Sequence, residues 1–479
     1  MDSRTLVKSL PIAFVAATAA AFLIAGCSGA LNGSLNSNPA TETGPAFVVG
    51  TDAPLASVVS FPVQVQGICA VTTESNPAVP LSQCVPLLSG TPTVDFARFN
   101  GLQTLLDMND VPVGTYSQIQ ITLGSATLGY LNVPPSGAPT IQTEAATYPS
   151  SASTYTYTAT LASPLIVTHA GTPVGLRVDF DLRKSIQVDG SGNFTGQVTP
   201  TFDVNAVGSG DAGGYIDTID AAVVSVNATA QSFVVQGPHG QNFTINVNGS
   251  TDWENGESLS ALTTSSIVEV SGTLDKADST LDADDVAILS QDGFYAAGQV
   301  TYVNPSTGPA NSFDLYVRGL LPTNTGLSLG QIAQVELTGN EKFFIYQWHN
   351  ALTQFLFNSS TLLPGQHVSI GGPASGAANP QAVTAKRVVL RHWGFNGTVV
   401  PGSMSAANGT FQMQITGFAG LLVPQTVTVY TASPTVFRGG LTGLSAVPAS
   451  INVRVVGLLI KDPTSGKTIL LAHYVDELT

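Results

Sequence analysis

Ile267-Val268-Glu269-Val270-Ser271-Gly272, followed after a short polar interruption by Leu281-Asp282-Ala283-Asp284-Asp285-Val286-Ala287-Ile288-Leu289, reads as strand, glycine, turn, strand. Alternation of apolar and polar residues with a period of two marks a half-buried strand. The pattern returns at His367-Val368-Ser369-Ile370-Gly371 with Thr384-Ala385-Lys386-Arg387-Val388-Val389-Leu390. It returns again at Asn452-Val453-Arg454-Val455-Val456-Gly457 with Leu471-Ala472-His473-Tyr474-Val475. Upstream of each copy lies an opening strand and then a small hydroxyl residue before Phe: Ser232-Phe233, Ser312-Phe313 and Thr410-Phe411. Three modules follow from this, at 215–291, 293–391 and 393–479. Each holds five or six short strands, and closing them into a small barrel removes edges that so small a sheet could not otherwise hide. An OB-like topology fits. The spacing is too long for a solenoid built of roughly 20–50-residue repeats and suits separate small domains.

Working outward, Gly208-Ser209-Gly210-Asp211-Ala212-Gly213-Gly214 joins these modules to an upstream domain at 46–206. Val59, Phe61, Val63 and Val65 alternate there with Ser60, Gln64 and Gln66, and further strand-like runs follow densely. Asp95 to Met108 is the exception: Phe96, Phe99, Leu102, Leu105 and Leu106 recur at three-to-four spacing, which predicts a short helix or compact loop. The expected fold class is all-β: an Ig-like or transthyretin-like β-sandwich followed by three small closed β-barrels of OB-like topology. The composition agrees, with 48 Gly and 29 Pro for turns and 43% hydrophobic residues for cores.

The first residues carry targeting information. Arg4 and Lys8 precede an apolar run from Leu10 to Ile24, and Leu23-Ile24-Ala25-Gly26-Cys27 follows. That run is short for a membrane-spanning helix of about 20 residues. The Cys27 context resembles the lipobox of bacterial lipoproteins, with Ile24 where Leu is commoner. The resemblance implies removal of 1–26, diacylation of Cys27 (palmitate among the acyl groups) and a membrane anchor. Residues 27–45 read as a flexible tether. Ser28 leans towards the outer membrane, facing the periplasm or the surface. Cys69 and Cys84 then remain in an oxidising compartment, where a disulfide is favoured over a two-cysteine metal site.

Two family resemblances add to this. Thr51-Asp52-Ala53-Pro54, Val94-Asp95-Phe96 and Val111-Pro112-Val113-Gly114-Thr115-Tyr116 resemble a family of bacterial lipoprotein domains of unknown function. These motifs are turns, so the resemblance implies a sandwich and a surface-lipoprotein setting and no activity. The modules resemble a second bacterial domain family of unknown function, often repeated. The resemblance rests on Val270, Gly272, Ala283 and Val286, then Ile370, Gly371, Ala385 and Val388, then Val456, Gly457, Ala472 and Val475.

Chemistry is sparse. A net charge of -15 with only 16 basic residues argues against nucleic acid as a partner. Gly326-Leu327-Ser328-Leu329-Gly330 has the letters of a nucleophile elbow, but strand-like residues follow where a helix is needed. Ser465-Gly466-Lys467-Thr468 lacks the earlier glycine of a phosphate loop, that position being Lys461. The six histidines are scattered and are expected at the surface or at strand edges. Asp282, Asp284 and Asp285 form a weak calcium candidate without EF-hand order. The densest aromatic stretch offers Phe344, Tyr346, Trp348 and Phe355 as a possible ligand surface, or as filling for an enlarged second barrel.

The expectation is a non-catalytic, lipid-anchored cell-envelope protein without cofactors, displaying β modules for adhesion or protein interaction. The alternatives are a carbohydrate-binding lipoprotein, with a polysaccharide partner, and a hydrolase whose site is dispersed in sequence.

Overall fold

The computed structural model describes residues 42–477, apart from 54–57, 73–82, 100–101, 133–139, 169–172, 191–193, 209–213, 238–239, 241, 275–279, 323–325, 347–354, 374–381, 416–424, 433–434, 439 and 463–464. The chain is all-β, and Leu182–Ser185, one turn capped by the Asp181 carboxylate, is the only α-helix among the described residues.

The N-terminal sandwich has a four-stranded sheet in the order Phe202–Gly208, Val174–Asp181, Thr43–Ala53, Thr104–Pro112. Thr43–Ala53 runs parallel to Val174–Asp181. The opposing sheet is built on the long strand Gly114–Asn132, flanked by Pro62–Thr72 and Tyr155–Val167. Between the sheets, Phe61, Phe96, Phe180 and Phe202 pack largely edge to face.

Residues 95–108 correct the expected helix or loop. Phe96–Arg98 forms a single 3-10 turn, and Thr104–Pro112 is a strand. The misleading spacing has a physical source: Leu106 enters the sandwich core while its neighbour Leu105 enters the core of the first barrel. A strand covered on both faces loses its polar alternation. Thr43–Ala53 behaves alike, with Ala46 and Val48 facing one core and Phe47 and Val49 the other.

The first barrel is a ring of five strands: Ile216–Asn227, Ser232–Gln236, Asn242–Asn246, Leu281–Ser290 and Ile267–Leu274, which pairs back with the first. The third and fifth strands in sequence close it in parallel, Ile245 opposite Leu281. This is the Greek-key order of an OB-like barrel. Trp393–Val399, Thr410–Ile415, Thr426–Tyr430, Thr468–Glu477 and Asn452–Lys461 repeat the ring near the C-terminus, closed by Val429 opposite Leu470. Between them, Gly293–Asn304, Ser312–Leu321, Ile332–Glu336 and His367–Pro373 follow the same order. Their closing strand is broken into Ala382–Thr384 and Arg387–Arg391.

The recurring glycine is a bulge. The register slips between Ser271 and Gly272 and again between Val456 and Gly457. A Cβ at either glycine would lie 2.1 Å from a facing carbonyl oxygen, of Asp282 or of Leu471. Only glycine permits that approach.

The barrels do not sit apart as the spacing suggested. Phe47, Val49 and Leu105 of the sandwich complete the first barrel's core. Leu458, Ile460, Ile469 and Leu471 of the third complete that of the second. Leu289, Tyr295, Tyr346 and Val389 join the first to the second.

Candidate functional site at the domain junction

Where the sandwich meets the first two barrels, charged residues are buried together. Asp220 and Glu269 lie directly opposite each other on paired strands of the first barrel. Like charges in that position repel, and both are buried. Arg391, from the last strand of the second barrel, answers them. Its guanidinium donates to both Asp220 oxygens, Nη2 to Oδ1 at 2.9 Å and Nη1 to Oδ2 at 3.1 Å, and Nη2 lies 2.5 Å from Glu269 Oε1. Two parallel bonds of this kind are the strong form of a charged pair.

Three more groups close on the same carboxylates. The Tyr295 hydroxyl donates to Asp220 Oδ2 at 2.6 Å and accepts from Arg391. Arg98, carried out of the sandwich by its 3-10 turn, reaches Asp220 Oδ2 at 2.8 Å. Thr218 Oγ1 donates to Glu269 Oε1 at 3.0 Å. Burial pushes the Asp220 carboxyl upwards, but Arg391, Arg98 and the hydrogen bonds overcome it and hold the group well below the usual carboxylate range. Glu269 has only part of that support. Burial raises it, Arg391 lowers it and Asp220 raises it again, leaving it at about 7.

A cavity of about 220 Å³ opens beside this cluster. Arg98, Arg318, Arg391 and His367 line it together with Asp95 and Asp220, and Phe99, Leu106, Phe243 and Leu320 form its apolar wall. Arg318 donates to the Ala97 carbonyl and, at 3.2 Å, to Gln299 Oε1, while its guanidinium lies 4.5 Å from the centre of the Trp393 ring. His367 pairs across its strand with Arg391 and meets Trp393 edge-on at 4.4 Å. It is 7% exposed, and among the described residues neither ring nitrogen has a hydrogen-bond partner. Burial, with Arg391 and Arg318 nearby, holds its imidazole well below the ordinary histidine value, so it is neutral.

A second buried contact locks the third barrel onto the same junction. Asp217 Oδ1 accepts from the Tyr474 hydroxyl at 2.8 Å, and its Oδ2 accepts from the Gln103 amide at 2.8 Å. Arg438 lies 3.7 Å over the Tyr474 ring, and His392 and His473 stack at 4.6 Å.

Residues 46–195 match the family described as "Domain of unknown function (DUF4382)". Residues 214–287 match "Domain of unknown function (DUF5666)". No curated protein matches the chain. Arg318, His367 and Arg391 lie beyond both matched stretches, so much of the cavity wall belongs to neither.

The residues singled out from sequence fall elsewhere. Tyr346 and Phe355 are 2% and 4% exposed and belong to core clusters, so they correct the expected ligand surface. Phe344 is half-buried beneath Arg387, whose guanidinium lies 4.6 Å from its ring centre. Trp348 and Cys27 lie outside the described residues. Asp282 accepts from Asn246 at 3.1 Å, Asp284 is exposed, and buried Asp285 accepts from Ser271 at 2.9 Å. Among the described residues no three His, Cys, Asp or Glu side chains converge to hold a metal. Cys69 and Cys84 form a disulfide with Cα atoms 5.3 Å apart.

The histidines correct the surface expectation. His367 and His392 are buried, while His169, His239 and His349 lie outside the described residues. The junction left one trace in the sequence: Glu269 is a charge set between valines in the strand Ile267–Leu274. A charge there demands a partner.

Proposed function

We propose that the protein is a non-catalytic, lipid-anchored component of the bacterial cell envelope that presents its β domains to a protein partner as one block. The observation that carries this is the fusion of the domains: residues from one domain complete the core of the next, and buried charges bolt three of them at one point. Flexible beads on a string would need neither. Such a block, on a flexible tether acylated at Cys27, presents one rigid surface within the tether's reach of a membrane. The modules at 293–391 and 393–479 are read as further copies of the domain matched at 214–287, because all three share one pairing order.

Carbohydrate recognition is the weaker reading. Tyr346 and Phe355, two of its proposed stacking surfaces, are spent on core packing. The decisive experiment is fractionation of cells expressing the full chain and its Cys27→Ala form. The wild type should partition with membranes and the variant should be released. Equal membrane association of both would sink the anchor, and with it the proposed display at an envelope.

A further inference from the structure

We propose that the junction cavity is a binding site for a small amphiphilic organic acid, with its anionic head held by Arg98, Arg318 and His367 and its apolar body against Phe99, Leu106, Phe243 and Leu320. The inference does not depend on how the protein is anchored. Three guanidiniums line the cavity against two lining acids, Asp95 and Asp220. Glu269, 2.5 Å from Arg391, balances the third cation, so what the cavity offers an anion is a concentration of N–H donors in a partly enclosed, low-dielectric space, where charge-assisted hydrogen bonds are strong.

His367 supplies the second argument. A neutral imidazole has one N–H to donate and one nitrogen to accept, yet neither is used among the described residues although the ring is 7% exposed. Buried polar atoms are ordinarily satisfied, and a carboxylate in the cavity would satisfy its N–H.

The rest of the wall selects against a bare inorganic ion. Phe99, Leu106, Phe243 and Leu320 are among the large apolar side chains that face the space, and Leu329, 57% exposed, also lines it. Pockets with a mainly apolar lining and a few convergent polar groups suit small organic ligands.

The test is calorimetric titration of the full-length protein with phenylacetate, phenylacetamide and inorganic phosphate. Phenylacetate should bind, with the uncharged amide and phosphate each at least about tenfold weaker, since a charge-assisted hydrogen bond is worth about that factor or more. Arg98→Gln should cost phenylacetate about tenfold or more. Leu329→Trp, a change at an exposed position that leaves the folded core alone, should block the entrance and abolish binding. Circular dichroism confirms that both variants are folded. The proposal is overturned if phenylacetate fails to bind at millimolar concentration, if the amide binds equally, or if neither substitution changes its affinity. Phosphate binding as tightly as phenylacetate would overturn the apolar half and leave a simple anion site.

Discussion

The charged junction and the buried aromatics Tyr346, Phe355 and Phe357 are held by different forces. At the junction Asp220 is shared by Arg98, Arg391 and Tyr295, each contributed by a different stretch of chain. In the aromatic run Phe355 packs edge-on to Tyr430, and Phe343 does the same to Phe357, through unpolarised contacts. Losing an aromatic ring leaves a void into which neighbours partly relax. Losing the Asp220 carboxylate takes the ion-pair partner from Arg98 and leaves Arg391 with Glu269 alone, and relaxation of neighbouring side chains does not restore the missing charge. The junction therefore fixes how domains are placed, while the aromatic run fills the space that placement leaves.

The largest expected effect follows directly. Asp220→Ala should destabilise the fold by about 3–5 kcal/mol, the range for breaking a buried ion pair from one side. Urea unfolding of the full chain measures it. A loss under about 1 kcal/mol would mean that water reaches Arg391 and that the junction is no harder to disrupt than an exposed ion pair. Phe355→Ala should cost about 3–4 kcal/mol through cavity formation. Phe355→Leu should cost less, about 1–2 kcal/mol, because the smaller apolar side chain leaves a smaller cavity than alanine does. A Phe355→Leu cost equal to that of the alanine variant would show the ring to be specified by more than bulk.

This contrast also explains what could be read from the amino-acid order. The barrels were legible because each strand–glycine–strand unit is local: the bulge at Gly272 and the alternation around it lie within one hairpin. Thr104–Pro112 was not, because its second buried face is supplied by a barrel that begins more than a hundred residues later. The junction is the extreme case, since Arg391 and Asp220 are 171 residues apart. Aromatic density drew attention to Tyr346 and Phe355 because contiguous letters are conspicuous, yet contiguity says nothing about exposure. Glu269 among valines was the more informative letter. An ionisable group in an apolar strand must be answered from elsewhere, although the sequence does not say by which residue.

The finest discrimination between the two regions comes from pH. Glu269 is raised by burial to about 7 from an ordinary 4.5, even with Arg391 beside it. The folded state therefore holds a proton between about pH 4.5 and 7 that the unfolded chain releases. Stability falls as pH rises through that window and levels off above it. At about 1.4 kcal/mol per unit, the change is on the order of 3–4 kcal/mol. Asp220, held below its ordinary value of 3.8, acts oppositely and elsewhere: its contribution is lost only as the pH falls below that value. Tyr346, pushed well above 10 by burial, stays neutral throughout. Glu269→Gln should accordingly flatten the decline in stability between pH 5 and pH 8, while Phe355→Leu should keep the wild-type slope. Unfolding curves across that range decide the matter. An unchanged slope in Glu269→Gln would put the proton on another group, and a flattened slope in Phe355→Leu would mean that aromatic packing, rather than the arginine pairing, sets the burial of Glu269.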